Sequence, residues 1–153
     1  MQRDGDVTIA APTGAGPFPA VVMANGTNTP LSSYLPVAEH LASWGFVVVG
    51  DETLQTGTGE NVVNLIEHLP ELDSRVDRSR VGIFGHSQGG AGAINAAAHA
   101  EVAAVYAASP ASHRVAKSND WDYTTANVEA PLFLMTSDGR SDRWLVSPWS
   151  DLE

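Results

Sequence analysis

The chain contains no cysteine, so disulfide staples and thiolate catalysis are excluded within its 153 residues. Compartment stays open on this ground, because an α/β domain of this size needs no disulfide. Basic residues are scarce: 8 Lys plus Arg stand against 18 Asp plus Glu, for a net charge of −10. The few cations form no patch. Such a polyanion is repelled by nucleic-acid backbones and anionic lipid, so neither is expected as a partner; the acid excess reads as solubility. No apolar run approaches the ~20 residues that span a bilayer. Met1-Gln2-Arg3-Asp4-Gly5-Asp6 has no apolar stretch, so no signal peptide is visible in it. Internal repeats and low-complexity tracts are missing. No His or carboxylate pair has metal-ligand spacing, and Asp51-Glu52 reads as loop capping. Thr56-Gly57-Thr58-Gly59 lacks the Gly-Lys-Ser/Thr ending of a phosphate loop. No metal and no cofactor is expected.

What is present is a core. Hydrophobic residues make up 43% of the chain, and a chain this long buries about two-thirds of its unfolded surface. Residues 1–153 are expected to form one domain. Ala20–Ala24, Phe46–Gly50, Val81–Phe84, Val102–Ala107 and Leu132–Thr136 are short continuous apolar runs, the pattern of strands buried on both faces. Val7–Ala11 is a further β-leaning run. Helical spacing appears at 34–44, 60–69 and 88–100, while 70–79 and 109–130 read as polar connections. Strands alternating with helices predict βαβ units, a parallel sheet and helices on both faces. Ligands of such sheets sit beyond the carboxyl ends of the strands. The loops at 25–33, 51–59, 85–90, 109 onward and 137–147 are therefore the ones to watch.

One motif lies in such a loop. Gly85-His86-Ser87-Gln88-Gly89 follows a strand and opens an Ala-rich helix, the context of the G-x-S-x-G nucleophile elbow. Glycines there remove side chains that would collide in a sharp turn, and the serine Oγ stands above the sheet at the positive end of a helix. His86 is expected to point away from Ser87 as a packed, hydrogen-bonded histidine. Acyl transfer also needs donors for the developing oxyanion. The N–H of Gln88 is one, and the N–H of Thr27, in Asn25-Gly26-Thr27, is the expected second. A plain β-turn is the other reading of Asn25-Gly26-Thr27.

With these residues in place the chain resembles the α/β-hydrolases, specifically the dienelactone-hydrolase-like and cutinase-like polyesterase branch that includes chlorophyllase-like and polyethylene-terephthalate-hydrolase-like enzymes. The resemblance is carried by 18–27, by Leu41-Ala42-Ser43-Trp44-Gly45-Phe46-Val47-Val48-Val49, by Asp77-Arg78-Ser79-Arg80-Val81 running into the elbow, and by 130–135. It implies a three-layer α/β-hydrolase fold with a mostly parallel sheet. It also implies hydrolysis of a small-molecule or polymeric carboxylic ester through an acyl-enzyme on Ser87, with Thr27 and Gln88 as backbone oxyanion donors. By the same resemblance the protein is secreted or periplasmic. Thr27 replaces the aromatic residue often found there in plastic-degrading members, so no aromatic substrate clamp is expected at that position.

The resemblance places the triad acid after the 132–136 strand, where Asp142 and Asp138 compete. Asp142 precedes Trp144-Leu145-Val146-Ser147-Pro148 and fits the family pattern better; Asp138 fits if the strand ends early. The base should follow the acid, yet all five histidines (His40, His68, His86, His99 and His113) precede it. His113 is the one that could reach the cleft rim. The base loop, final strand and helix are expected beyond Glu153, and an edge strand before Val7 is expected to be missing too. The chain alone is then expected to be a weak or inactive esterase. Trp121, Tyr123, Trp144 and Trp149 are read either as a cleft wall or as ordinary packing. Rival readings are a non-catalytic module that keeps the elbow as scaffold, and a thioesterase or serine peptidase.

Overall fold

The computed structural model describes residues 2–4 and 6–136. Its centre is β3 (Phe18–Ala24) and β4 (Val47–Asp51), where β4 reads Val-Val-Val-Gly-Asp and Val47, Val48 and Val49 are all fully buried. β-branched residues at consecutive positions fill both faces of a covered sheet. Around them lie β1 (Gln2–Asp4), β2 (Val7–Ala10), β5 (Val76–His86), β6 (Ala104–Ala108) and β7 (Leu132–Met135), in the order β1-β2-β4-β3-β5-β6-β7. The β1–β2 and β2–β4 pairs are antiparallel and the other four are parallel.

Alternation along the strands sorts the core into two layers. Val22 and Ala24 of β3, Val47 and Val49 of β4, and Ile83 of β5 face helices α2 (Glu60–Glu67), α3 (Leu69–Leu72) and α4 (Gln88–Ala97). Met23 and Val48 face the other way, onto Leu31 and α1 (Leu35–Ser43). Three layers result, as right-handed crossovers require. Register aligns the carboxyl ends of the strands: Ala24 pairs with Gly85, His86 with Ala108, and Ala108 with Met135. Asn25, Ser87 and Ser109 therefore leave the sheet at one edge.

Several sequence expectations are corrected. An edge strand does precede Val7, because Gln2–Asp4 pairs with Val7–Ile9. The helix expected over 34–44 is α1, preceded by a 3₁₀ turn at Leu31–Tyr34. The strand expected at 81–84 starts at Val76, since Phe18 pairs with Val76 and a register shift before the Ala20–Val81 pair accommodates the polar 77–80 segment. The 109–130 connection holds a short helix, α5 (His113–Lys117), and a 3₁₀ turn at Thr125–Asn127. No described helix is long and apolar enough to cross a membrane.

Candidate active site

Ser87 joins β5 to α4 with φ 56° and ψ −118°, a left-handed backbone that side chains other than glycine rarely adopt. Such a conformation persists only where its surroundings over-determine it, and here they do. The Ser87 N–H donates to the Ala108 carbonyl at 3.0 Å, and the Ser87 carbonyl accepts from the N–H of Gly90 at 2.9 Å and of Ala111 at 3.0 Å. The neighbouring glycines allow the close approach. A Cβ on Gly85 would lie 2.0 Å from the Gly89 carbonyl oxygen, and one on Gly89 would lie 2.1 Å from that of Ala24. The start of α4 thus sits directly on the end of β3.

That contact brings the Asn25–Thr29 loop to the elbow. The Thr29 N–H donates to the Gly26 carbonyl at 3.1 Å, and Asn28 has φ 51°, so the segment is a tight turn, and it lies beside 86–89. Asn25 is buried, its Nδ2 donating to the carbonyls of Asp51 at 2.6 Å and Thr53 at 3.1 Å, while its own carbonyl accepts from Thr56 Oγ1 at 2.6 Å. Thr27 follows, exposed at the turn. Gln88 is buried, and its amide is held by the 51–59 loop. Thr56 N–H donates to Gln88 Oε1 at 3.3 Å, and Gln88 Nε2 donates to Gln55 Oε1 at 2.7 Å. The first N–H groups of a helix have no intrahelical acceptor and carry its positive end. The Gln88 N–H, at the first residue of α4 directly after Ser87, belongs to that set.

His86 is half-buried and hydrogen-bonded, its Nδ1 lying 2.9 Å from the Tyr34 hydroxyl. Burial pushes its pKa below the ordinary imidazole value. His113 carries an Asp122 carboxylate on Nδ1 at 3.0 Å and stacks on Tyr123 at 4.4 Å. That Asp122 borders a surface depression with Asn95, Ala98 and His99, well along α4 from Ser87. Among the described residues no histidine is hydrogen-bonded to Ser87. Asp138 and Asp142 lie outside the described residues, as do Trp144 and Trp149.

Trp121 and Tyr123 are packed rather than displayed: both are buried in one cluster with Ala91, Ile94 and Ala107. Trp121 lies so close to Gly57 that a Cβ there would approach its ring at 2.4 Å. Thr56 is fully buried, so the 56–59 stretch is a packed loop. Sequence reading missed Tyr34, Gln55 and Asn25 as supports of the site. Tyr34 reads as the start of a helix, and nothing local announces a contact 52 residues away.

The model of the family described as "PETase: PET hydrolase-like" matches residues 4–142. A bis(hydroxyethyl) terephthalate hydrolase of Streptomyces coelicolor is 37% identical over 103 residues, covering 61% of this chain and 33% of that protein. Chlorophyllase-1 of Citrus sinensis is 30% identical over 97 residues, covering 54% and 29%. A cutinase of Thermobifida fusca is 30% identical over 103 residues, covering 61% and 34%. The chain spans about a third of the length of these curated relatives. With the strand order, the three layers and a match over nearly the whole chain, the protein belongs to the PET hydrolase-like family, in the cutinase-like branch of the α/β-hydrolases.

Proposed function

We propose that the protein is a serine carboxylic-ester hydrolase working through an acyl-enzyme on Ser87. The observation that carries the reading is the left-handed Ser87 at the strand-to-helix junction, held by three backbone hydrogen bonds beside a loop that can supply a second amide donor. Ser87 Oγ attacks the ester carbonyl carbon, and its proton passes to a histidine that the described residues do not identify. The carbonyl oxygen becomes an oxyanion between the N–H groups of Gln88 and Thr27. Collapse expels the alcohol with that proton, and water then attacks the acyl-enzyme and releases the acid. Asp142, or Asp138, orients the histidine. No step needs a cofactor. The substrate is a small-molecule or polymeric ester, in keeping with the printed names of the relatives.

The test is hydrolysis of a short p-nitrophenyl ester by the wild type and by Ser87→Ala. A serine hydrolase loses its rate in Ser87→Ala down to background, whereas an unchanged rate contradicts the assignment. A non-catalytic module that keeps the elbow as scaffold gives background rates with both.

A further inference from the structure

The Tyr34 hydroxyl occupies a place that nothing in the elbow motif requires. It lies 3.0 Å from the Gly26 N–H and 2.9 Å from His86 Nδ1, and so ties the residue before Thr27 to the residue before Ser87. The Gly26 N–H can only donate, so Tyr34 Oη accepts from it. The phenol keeps one proton, and the remaining neighbour is His86 Nδ1; a neutral imidazole with an acceptor at Nδ1 carries its proton on Nε2. The half-buried ring, tilted 60° to Tyr34 at 5.9 Å, suits that neutral form. The seat is also closed sterically. A Cβ on Gly26 would fall 2.9 Å from Tyr34 Oη and 3.1 Å from His86 Nδ1, so the Gly26 backbone rests on the junction of the two side chains.

We propose that Tyr34 is a positioning residue. By accepting the Gly26 N–H and donating to His86 Nδ1, its hydroxyl locks His86 as the Nε2–H tautomer and fixes the 25–26 peptide; with the Thr29 N–H holding the Gly26 carbonyl, the next peptide is left one direction for the Thr27 N–H. This deepens the reading of Ser87 and Thr27 given above and rests on it for its catalytic consequence. Two backbone segments 60 residues apart in sequence, at Thr27 and Ser87, are brought to one geometry by a hydroxyl from the turn ahead of α1. An amide that drifts by a fraction of an ångström from the oxyanion position stabilises it less, so loss of the hydroxyl weakens turnover and leaves substrate binding largely alone.

The experiment compares the wild-type chain with Tyr34→Phe, which keeps the ring, and with Tyr34→Leu, which does not. Thermal unfolding checks that each variant is folded. Nitrogen-15 spectra of labelled histidine read the His86 tautomer, amide spectra read Gly26 and Thr27, and a p-nitrophenyl phosphonate reads the labelling rate at Ser87. The wild type is expected to show the Nε2–H tautomer. Both variants lose that preference, their Gly26 and Thr27 amide resonances move, and their labelling slows about tenfold with no comparable change in the half-saturating probe concentration. An Nδ1–H tautomer in the wild type overturns the proposal, as do an unchanged tautomer and unchanged Thr27 resonance in Tyr34→Phe. Absence of any Ser87 label in a protein that carries the triad histidine overturns the serine-hydrolase reading instead; the tautomer and amide spectra then decide the role of Tyr34 by themselves.

Discussion

Among single residues, backbone amides do the proposed work of holding the oxyanion, and side-chain replacement alone cannot test that. Thr27 is useful here because proline removes its N–H while alanine removes only the hydroxyl. Thr27→Pro should lower ester hydrolysis about 10²-fold, with Thr27→Ala within a few-fold of wild type; equal losses in the two would show that the side chain matters. His86 makes a separate prediction. Its folded pKa is lowered by burial, so near and below about 6.5 the unfolded chain binds the proton more readily than the folded one. The stability this group contributes is complete above about 6.5 and is lost as pH falls toward the folded pKa. The melting temperature should therefore fall between pH 7.5 and 5.5, and fall less in His86→Gln. A steeper fall in the variant would contradict the burial argument. The tight strand-to-helix turn at Ser87 is legible because its glycines and flanking runs are local. The Tyr34 and Gln55 contacts are not, since they join segments 52 and 33 residues away.

At the scale of elements, the site depends on how closely α4 lies on the sheet. Its Gly89 backbone touches the end of β3, and its Gly92 backbone touches the Thr56 carbonyl, where an added Cβ would come within 1.9 Å. Helix and loop cannot separate without moving Gln88. Gly89→Ala should cost on the order of 3 kcal/mol, because backbone on both sides must shift; a denaturant midpoint equal to wild type would show that the contact is softer than the geometry implies. The same scale shows why strand boundaries were partly hidden. The polar residues at 77–80 suppress the apolar signal, and only the register shift against β3, with Phe18 N–H donating to the Arg75 carbonyl at 2.8 Å, makes β5 begin at Val76. α5 was invisible for another reason: it is a five-residue helix inside a polar stretch, too short for periodicity to register. The buried runs at 20–24 and 47–49 were read correctly, since strands covered on both faces need no partner to be recognised.

At the scale of the molecule, one sheet face is unevenly covered among the described residues. α1 covers one end, but Phe84, Tyr106 and Phe133 stack in a ladder at 5.4 and 5.2 Å along the other, and Phe133 stays 63% exposed. A groove of about 700 Å³ runs beside them, lined also by Leu41 and Phe46. It is wide and apolar, but it lies along the strands rather than at the edge where Ser87 emerges, so it carries no part of the catalytic reading. Exposed apolar patches bind apolar dyes and promote association. The 153-residue chain should enhance anilinonaphthalene sulfonate fluorescence, and Phe133→Arg should reduce the signal; no enhancement in the wild type would mean that the face is covered in solution.

The most direct measurement of the central claim is peptide mapping after exposure of the whole chain to a p-nitrophenyl phosphonate. Trypsin leaves Ser87 in the peptide running from Val81 to Arg114, and fragment ions place the modification within it. One adduct is expected, on Ser87 and absent from Ser87→Ala. An adduct on Ser109 or Ser112 instead, or an unmodified Ser87 in a protein that carries the triad histidine, would contradict it.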